Sequence, residues 1–297
     1  MRTWPRCSFL AEAAGDPREG TAPPANRWLL IEHPGPWGRN ALTQSGLGTD
    51  TVAALAGWAG TYGGRVTLIR RPGRRGRPVA ARRWFRVDSR PGHEAIRTGS
   101  FGTDADLVAA LDAPGEPAAG PLQLVCAHGR HDPCCAVRGR ALAATLAAAD
   151  PAGTWECSHV GGCRFAPVLV LLPHGYTLGG VPPADAVRIT RDYRAGTLDP
   201  HWVRGRTSLP PAAQAAQYHA RAATGATGVD AVRVVAVEQI GEAGWRVTLA
   251  DPDCTVLLRE RHVAAGRPLT CAATTNGWLR LFDLLELHTD RTAPDPT

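Results

Sequence analysis

The sequence predicts an α/β protein built in three parts behind an irregular lead-in, and three observations carry that prediction. Short apolar runs that read as strands alternate with segments of helical spacing through most of the chain. Gly- and Pro-rich punctuation divides 297 residues into an irregular lead-in over 1–26, an N-terminal α/β portion over 27–115, a central layer over 120–196 and a small α+β unit over 210–290. Hydrophobic content of 44% and charged content of 20% are those of a folded globular chain, so extended disorder is excluded.

The elements follow in order. Gly15, Pro17, Gly20, Pro23 and Pro24 make the lead-in irregular. A strand over 27–32 (Arg-Trp-Leu-Leu-Ile-Glu) stops at Pro34-Gly35-Pro36. Val52, Leu55 and Ala59 share a helical face, and strands over 65–70 and 84–88 are joined by an arginine-rich connection. A strand over 94–98 leads to a helix with Asp104 near its start and Leu107, Val108 and Leu111 expected to face inward. Pro114-Gly115-Glu116-Pro117 reads as a linker. Beyond it come a strand over 122–126, a helix opened by Asp132-Pro133 and running to about 149, and strands over 154–159, 167–172 and 176–180. A helix over 183–193 ends this block, whose strand–helix–strand–strand–helix order is that of a thioredoxin-like α/β layer. The last unit holds a helix over 212–223, strands over 232–237 and 245–249, and a closing segment over 280–287.

All 33 basic side chains are arginine, and the net charge is +6. Arginine, alanine, glycine and proline rise together in G+C-rich coding, so the charge is first a coding bias and only second a statement about partners. Ten arginines fall between Arg65 and Arg90 against one acid, Asp88. A solvated hairpin loop is the plain reading; a grip on nucleic-acid phosphates or the docking of an acidic redox partner are the functional ones. No nucleic-acid module is recognisable, and no apolar run is long enough to span a membrane. The N-terminus does not read as a secretory signal, so the cytoplasm is the expected compartment.

Five of the eight cysteines, Cys126, Cys134, Cys135, Cys157 and Cys163, lie within 38 residues. Without a signal sequence such clustering points to metal or redox chemistry rather than a disulfide framework. Asp132 as N-cap and Pro133 as first helical residue place Cys134 and Cys135 in a helix's first turn, where unpaired N–H groups favour a thiolate. His159 and Cys163 flank Gly161-Gly162, a turn whose missing Cβ atoms would let backbone wrap an inorganic centre, with Arg164 adding positive charge. The spacing C-x8-C followed by H-x3-C lacks the C-x2-C of zinc knuckles, yet the residues alone leave zinc, a [2Fe–2S] cluster and a metal-free thiol centre all open.

The motif Cys126-x-His128-Gly129-x-x-Asp132-x-Cys134-Cys135, then Trp155-Glu156-x-Ser158-His159-x-Gly161-Gly162-x-Arg164-Phe165-Ala166 and Leu172-Pro173-His174-Gly175, resembles the sucrase/ferredoxin-like proteins. The segments Gly20-Thr21-Ala22-Pro23, Trp28-Leu29-Leu30 and Pro34-Gly35-Pro36-Trp37-Gly38 are similar to that family's N-terminal signature, and the likeness runs from about 20 to 195. The resemblance implies a thioredoxin-like ferredoxin with a [2Fe–2S] cluster, Cys126 and Cys135 on one iron and His159 on the other. The family's second histidine, in its H-x3-H pattern, is here Cys163, itself a competent iron ligand. The implied activity is electron transfer between a donor and an acceptor protein.

Other side chains receive plainer expectations. Cys134 is expected as a packed first-turn residue, with replacement of Cys135 as the ligand as its alternative; Cys157 is expected as a buried small side chain, with an alternative ligand as its second reading. His128 and His131 are loop histidines with a supporting role as the alternative, and His174 shapes its turn. Cys7, Cys254 and Cys271 have no Cys or His neighbours and receive no function. No carboxylate pair of a glycosidase, G-x-S-x-G elbow, Walker loop or G-x-G-x-x-G fingerprint is recognisable, so an electron carrier is expected rather than a hydrolase.

Overall fold

The computed structural model describes residues 6–73 and 81–289. Its elements are α1 (Cys7–Ala13), β1 (Arg27–Glu32), α2 (Thr49–Tyr62), β2 (Gly64–Arg70), β3 (Arg82–Asp88), β4 (Ala95–Phe101), α3 (Asp104–Ala109), β5 (Glu116–Pro117), β6 (Leu122–Cys126), α4 (Pro133–Ala149), β7 (Thr154–Cys157), β8 (Val168–Leu172), β9 (Tyr176–Gly179), α5 (Pro183–Arg194), β10 (Val203–Arg206), α6 (Pro211–Thr224), β11 (Arg233–Ile240), β12 (Gly244–Ala250), β13 (Cys254–Ala264) and β14 (Trp278–Thr289).

Ten strands form one mixed sheet in the order β10-β9-β8-β6-β7-β2-β1-β3-β4-β5. Within it, β9-β8-β6-β7 is the thioredoxin-like layer: β6 and β7 run parallel, joined through α4, and β8 and β9 add antiparallel. The N-terminal portion joins this layer directly, because Ile69 and Arg70 of β2 pair with Cys157 and Glu156 of β7. Segments 27–115 and 120–196 therefore share a sheet and its core. Pro117 and Glu116, expected in a linker, pair with Arg97 and Thr98 as the edge strand β5.

Burial on both faces explains why the central strands are apolar without alternation. Along β1, Trp28 and Leu30 enter a core with Phe85, Leu124 and Trp155. Leu29 and Ile31 enter the opposite core with Leu55, Trp58 and Leu107. α4 and α5 cover the thioredoxin-like strands through Leu142, Leu146 and Ile189, packed on Leu169 and Leu178. The last unit is the expected α+β arrangement: α6 lies on a four-stranded antiparallel sheet, with Ala213 and Ala216 against Val247 and Val256.

Two further expectations need correction. The lead-in is not irregular throughout, since α1 forms there and buries Cys7 and Ala11. Val108 points to solvent, while Leu107 fills the core and Leu111 packs at its margin as expected. The strand β13 has no clear strand signal in its sequence, because Arg259, Glu260, Arg261 and His262 make its second half polar and mostly exposed. Of the arginine-rich stretch, Arg74, Arg75 and Arg77 lie outside the described residues. The described members are engaged within the fold: Arg70 pairs with Glu156 at 2.8 Å and covers Trp37, Arg71 covers Trp155, Arg86 donates to the Leu111 carbonyl, and Arg90 pairs with Asp88 at 2.7 Å. Among the described residues no helix is long and apolar enough to cross a membrane.

Candidate metal centre

The site lies at the carboxyl ends of the adjacent parallel strands β6 and β7, where an α/β sheet opens a crevice for a ligand. Cys126 is the last residue of β6. The chain then loops through His128 and His131 to Asp132, whose carboxylate accepts the Cys134 N–H at 2.8 Å and caps α4, with Pro133 following as read from the sequence. Such a cap contributes about 1 kcal/mol to holding the helix start. From β7 the chain passes Ser158 and His159, turns at Gly161 and Gly162, and enters a short 3-10 turn, Cys163–Phe165.

The four side chains Cys126, Cys135, His159 and Cys163 converge. Cys135 and His159 each lie within 4.8 Å, donor atom to donor atom, of both Cys126 and Cys163. The Cys163 sulfur is 3.4 Å from His159 Nδ1. The three cysteines are buried. Of the two neighbouring thiols it is Cys135 that faces this pocket. Cys134 turns away, toward Cys7 and Cys271. Cys157 remains a buried thiol whose ionisation burial pushes well up.

The charges of the donors are mutually dependent. The Cys135 thiol, held protonated because it hydrogen-bonds to Cys126 and Cys163, lies between two thiolates. Cys126 is strongly lowered by that hydrogen bond against burial, and Cys163 is lowered to about 3 by its own from Cys135 and by contact with His131 and His159. Burial opposes a charged His159, yet its hydrogen bonds to the Cys126 and Cys163 sulfurs raise it to about 9. The metal-free pocket therefore holds an imidazolium beside thiolates near neutral pH. A metal must displace that proton, so acid opposes loading. In the metal-free protein the His159 ring, followed by NMR, should titrate near 9. In Cys163→Ala the loss of one anionic neighbour should bring the midpoint down; an unchanged midpoint would contradict this electrostatic account.

Supporting residues include two that the sequence left ambiguous. His128 Nδ1 accepts the His159 backbone N–H at 3.2 Å while its Nε2–H donates to the Gly38 carbonyl at 2.6 Å. Burial keeps this ring neutral and so able to serve both contacts. His131 stacks on His159 with ring centroids 3.6 Å apart, and its donor atom lies in the same group as His159 and Cys163.

Gly161 and Gly162 have φ of +90° and +76°, but the crowding around them is not the expected one. A Cβ at Gly161 would meet Pro23 Cγ at 2.3 Å, and one at Gly162 would meet the Arg204 guanidinium at 2.3 Å. The turn is thus packed against protein. Arg164 also differs from expectation: its Nε pairs with the Asp16 carboxylate at 3.3 Å, which it shares with Arg267. The buried cation behind the site is Arg204, 1% exposed, donating to the carbonyls of Gly161 and Thr21. Burial lowers it to about 9, so it stays charged at neutral pH. Nothing local in the sequence marks Arg204, which is 41 residues from Cys163.

A thioredoxin-like layer that brings three thiols and an imidazole together at its strand ends defines the class: a thioredoxin-like protein with a Cys/His donor pocket able to bind a metal. The chain belongs to the sucrase/ferredoxin-like family, whose profile matches residues 19–205. Among solved structures the chain is similar to a cysteine-to-serine variant of the thioredoxin-like [2Fe–2S] ferredoxin from Aquifex aeolicus, with 24% identity over 28% of this chain and 97% of that one and a TM-score of 0.25. No curated protein matches.

Proposed function

We propose that this protein is an electron carrier whose [2Fe–2S] cluster is held by Cys126, Cys135, His159 and Cys163. The observation that carries the reading is the convergence of three buried sulfurs and one imidazole from two distant loops. The donor set fits: iron–sulfur centres take thiolates and accept imidazole in their place. Cys126 and Cys135 would hold one iron and His159 and Cys163 the other. When bound, such a group supplies and accepts single electrons at a potential set by its ligands and their surroundings. The residues around it have definite tasks. His128 fixes the His159 backbone, Arg204 holds the Gly161-Gly162 turn and places a buried positive charge behind it, and the strand ends keep water from three of the donors. The partners this calls for are a one-electron donor and a one-electron acceptor.

The same Cys3His set is also a legitimate zinc set, and a structural zinc centre is the second reading. Absorption and EPR spectra of anaerobically reconstituted protein separate the two. Visible charge-transfer bands and an EPR signal on reduction are expected; a colourless protein holding zinc at Cys126 would overturn the electron-carrier reading.

Cys163 makes a further expectation. A thiolate donates more electron density than a neutral imidazole, so Cys163→His should raise the reduction potential relative to the unmodified chain. Potentiometry over pH 6 to 9 should also show a pH-dependent midpoint if the His159 ring takes up a proton on reduction. A fall in potential for Cys163→His would refute the first expectation, and a flat pH profile the second.

A further inference from the structure

A second set of thiols meets one residue before Cys135. The Cys134 sulfur is 3.6 Å from that of Cys7 and 3.3 Å from that of Cys271, and Cys271 and Cys7 are 3.5 Å apart. The three sulfurs make a nearly equilateral triangle. The Asp132 carboxylate closes it, 3.6 Å from the Cys7 sulfur, while accepting the backbone N–H of Cys134 at 2.8 Å and of Cys271 at 2.9 Å. Each carboxylate oxygen retains a lone pair for another partner. Cys7, Asp132 and Cys134 are buried.

We propose that Cys7, Cys134, Cys271 and Asp132 form a binding site for one Zn2+, separate from the Cys126 cage. The spacing is the first reason. Zn–S bonds of about 2.3 Å at tetrahedral angles set sulfurs about 3.8 Å apart, close to the triangle seen here. The donors are the second: three thiolates and one carboxylate fill four positions around one point, the closed coordination of a structural zinc. The third is the loop that delivers Cys271. Residues 265–277 join β13 to β14, and from Cys271 to Asn276 every residue is exposed. Apart from the Arg267 ion pair to Asp16 and the Cys271 N–H bond to Asp132, this exposed segment of small residues offers little that would press a thiol against α1 and the start of α4. A shared metal supplies that attraction. Binding takes the three sulfurs as thiolates, releasing to solvent the protons of those still protonated, with no change of oxidation state. The ion would pin the N-terminal helix and the loop of the last sheet to the helix start that carries Cys135.

The test counts metals in the full chain after reconstitution with iron, sulfide and zinc. One zinc per chain beyond the iron is expected. Cys271→Ser should cut zinc to about a tenth or less while iron and the visible spectrum stay. Cys126→Ser should lose the iron and keep the zinc. Titration of Co2+ into metal-free wild-type protein and into Cys271→Ser gives an independent reading, because a thiolate-to-cobalt band from this site should weaken in the variant. Zinc unaffected by Cys271→Ser, zinc lost only with Cys126→Ser, or a disulfide among Cys7, Cys134 and Cys271 in native protein would each overturn the proposal. A chain that binds no iron but shows this zinc pattern would refute the electron-carrier reading alone.

Discussion

Cys135→Ser should reduce the iron bound after reconstitution to about a tenth or less of wild type and abolish the visible spectrum. Cys134→Ser should keep both. The contrast arises from helical geometry: successive residues project about 100° apart around the axis. In the first turn of α4 this turns Cys135 into the pocket with Cys126 and Cys163, and Cys134 into the triangle with Cys7 and Cys271. Serine preserves the size of either side chain but removes the soft donor. The zinc proposal adds a second half to the experiment, because Cys134→Ser should then lose zinc where Cys135→Ser does not. A Cys134→Ser protein without its visible spectrum, beside a Cys135→Ser protein that retains it, would reverse the assignment of the two neighbours.

The other large effect is expected at Arg204. Its guanidinium donates to Gly161 O at 3.1 Å, to Thr21 Oγ1 at 3.1 Å and to Thr21 O, so one buried side chain joins the lead-in to the His159–Cys163 turn. Removing it leaves these acceptors without their donor. Weighed against relief of burying a charge, Arg204→Met should lower the unfolding free energy by about 2–4 kcal/mol. The turn should also loosen, so that iron loading falls although no ligand has changed. Arg204→Lys should recover little, because one ammonium cannot reproduce a planar fork with several donors. Denaturant unfolding beside iron analysis checks both parts. Wild-type stability and loading in Arg204→Met would show that the contacts contribute nothing.

The sequence was most informative where the relevant physics is local. β1 and β6 begin and end where expected, because continuous apolar runs lie between Gly and Pro punctuation. The start of α4 is written in Asp132-Pro133, a cap followed by a preset φ. The candidate cage was legible because its donors sit in two short motifs, so only their meeting had to be supplied by the fold. Cys7 and Cys271 carried no such sign: they are 127 and 137 residues from Cys134, and only tertiary packing brings the three sulfurs together. Arg204 and Asp16 escaped for the same reason, since a buried arginine and a solvent-facing one look alike in sequence. α1 was masked by Gly15 and Pro17, which follow the helix rather than interrupt it.

The seam between β2 and β7 bears on how this protein can be dissected. Two ladder pairs and the Ser158 N–H bond to the Leu68 carbonyl stitch it, and Trp155 and Cys157 on one side share a core with Trp28, Ile69 and Phe85 on the other. Cutting the chain near residue 118 would strip β7 of its neighbour and bare those aromatic rings to water. Such a fragment would carry an open strand edge, a template for pairing with its own kind. Excision of the central layer as a miniature would therefore trade a single folded species for self-association, and the N-terminal portion acts as a built-in shield for the strand that leads to the histidine.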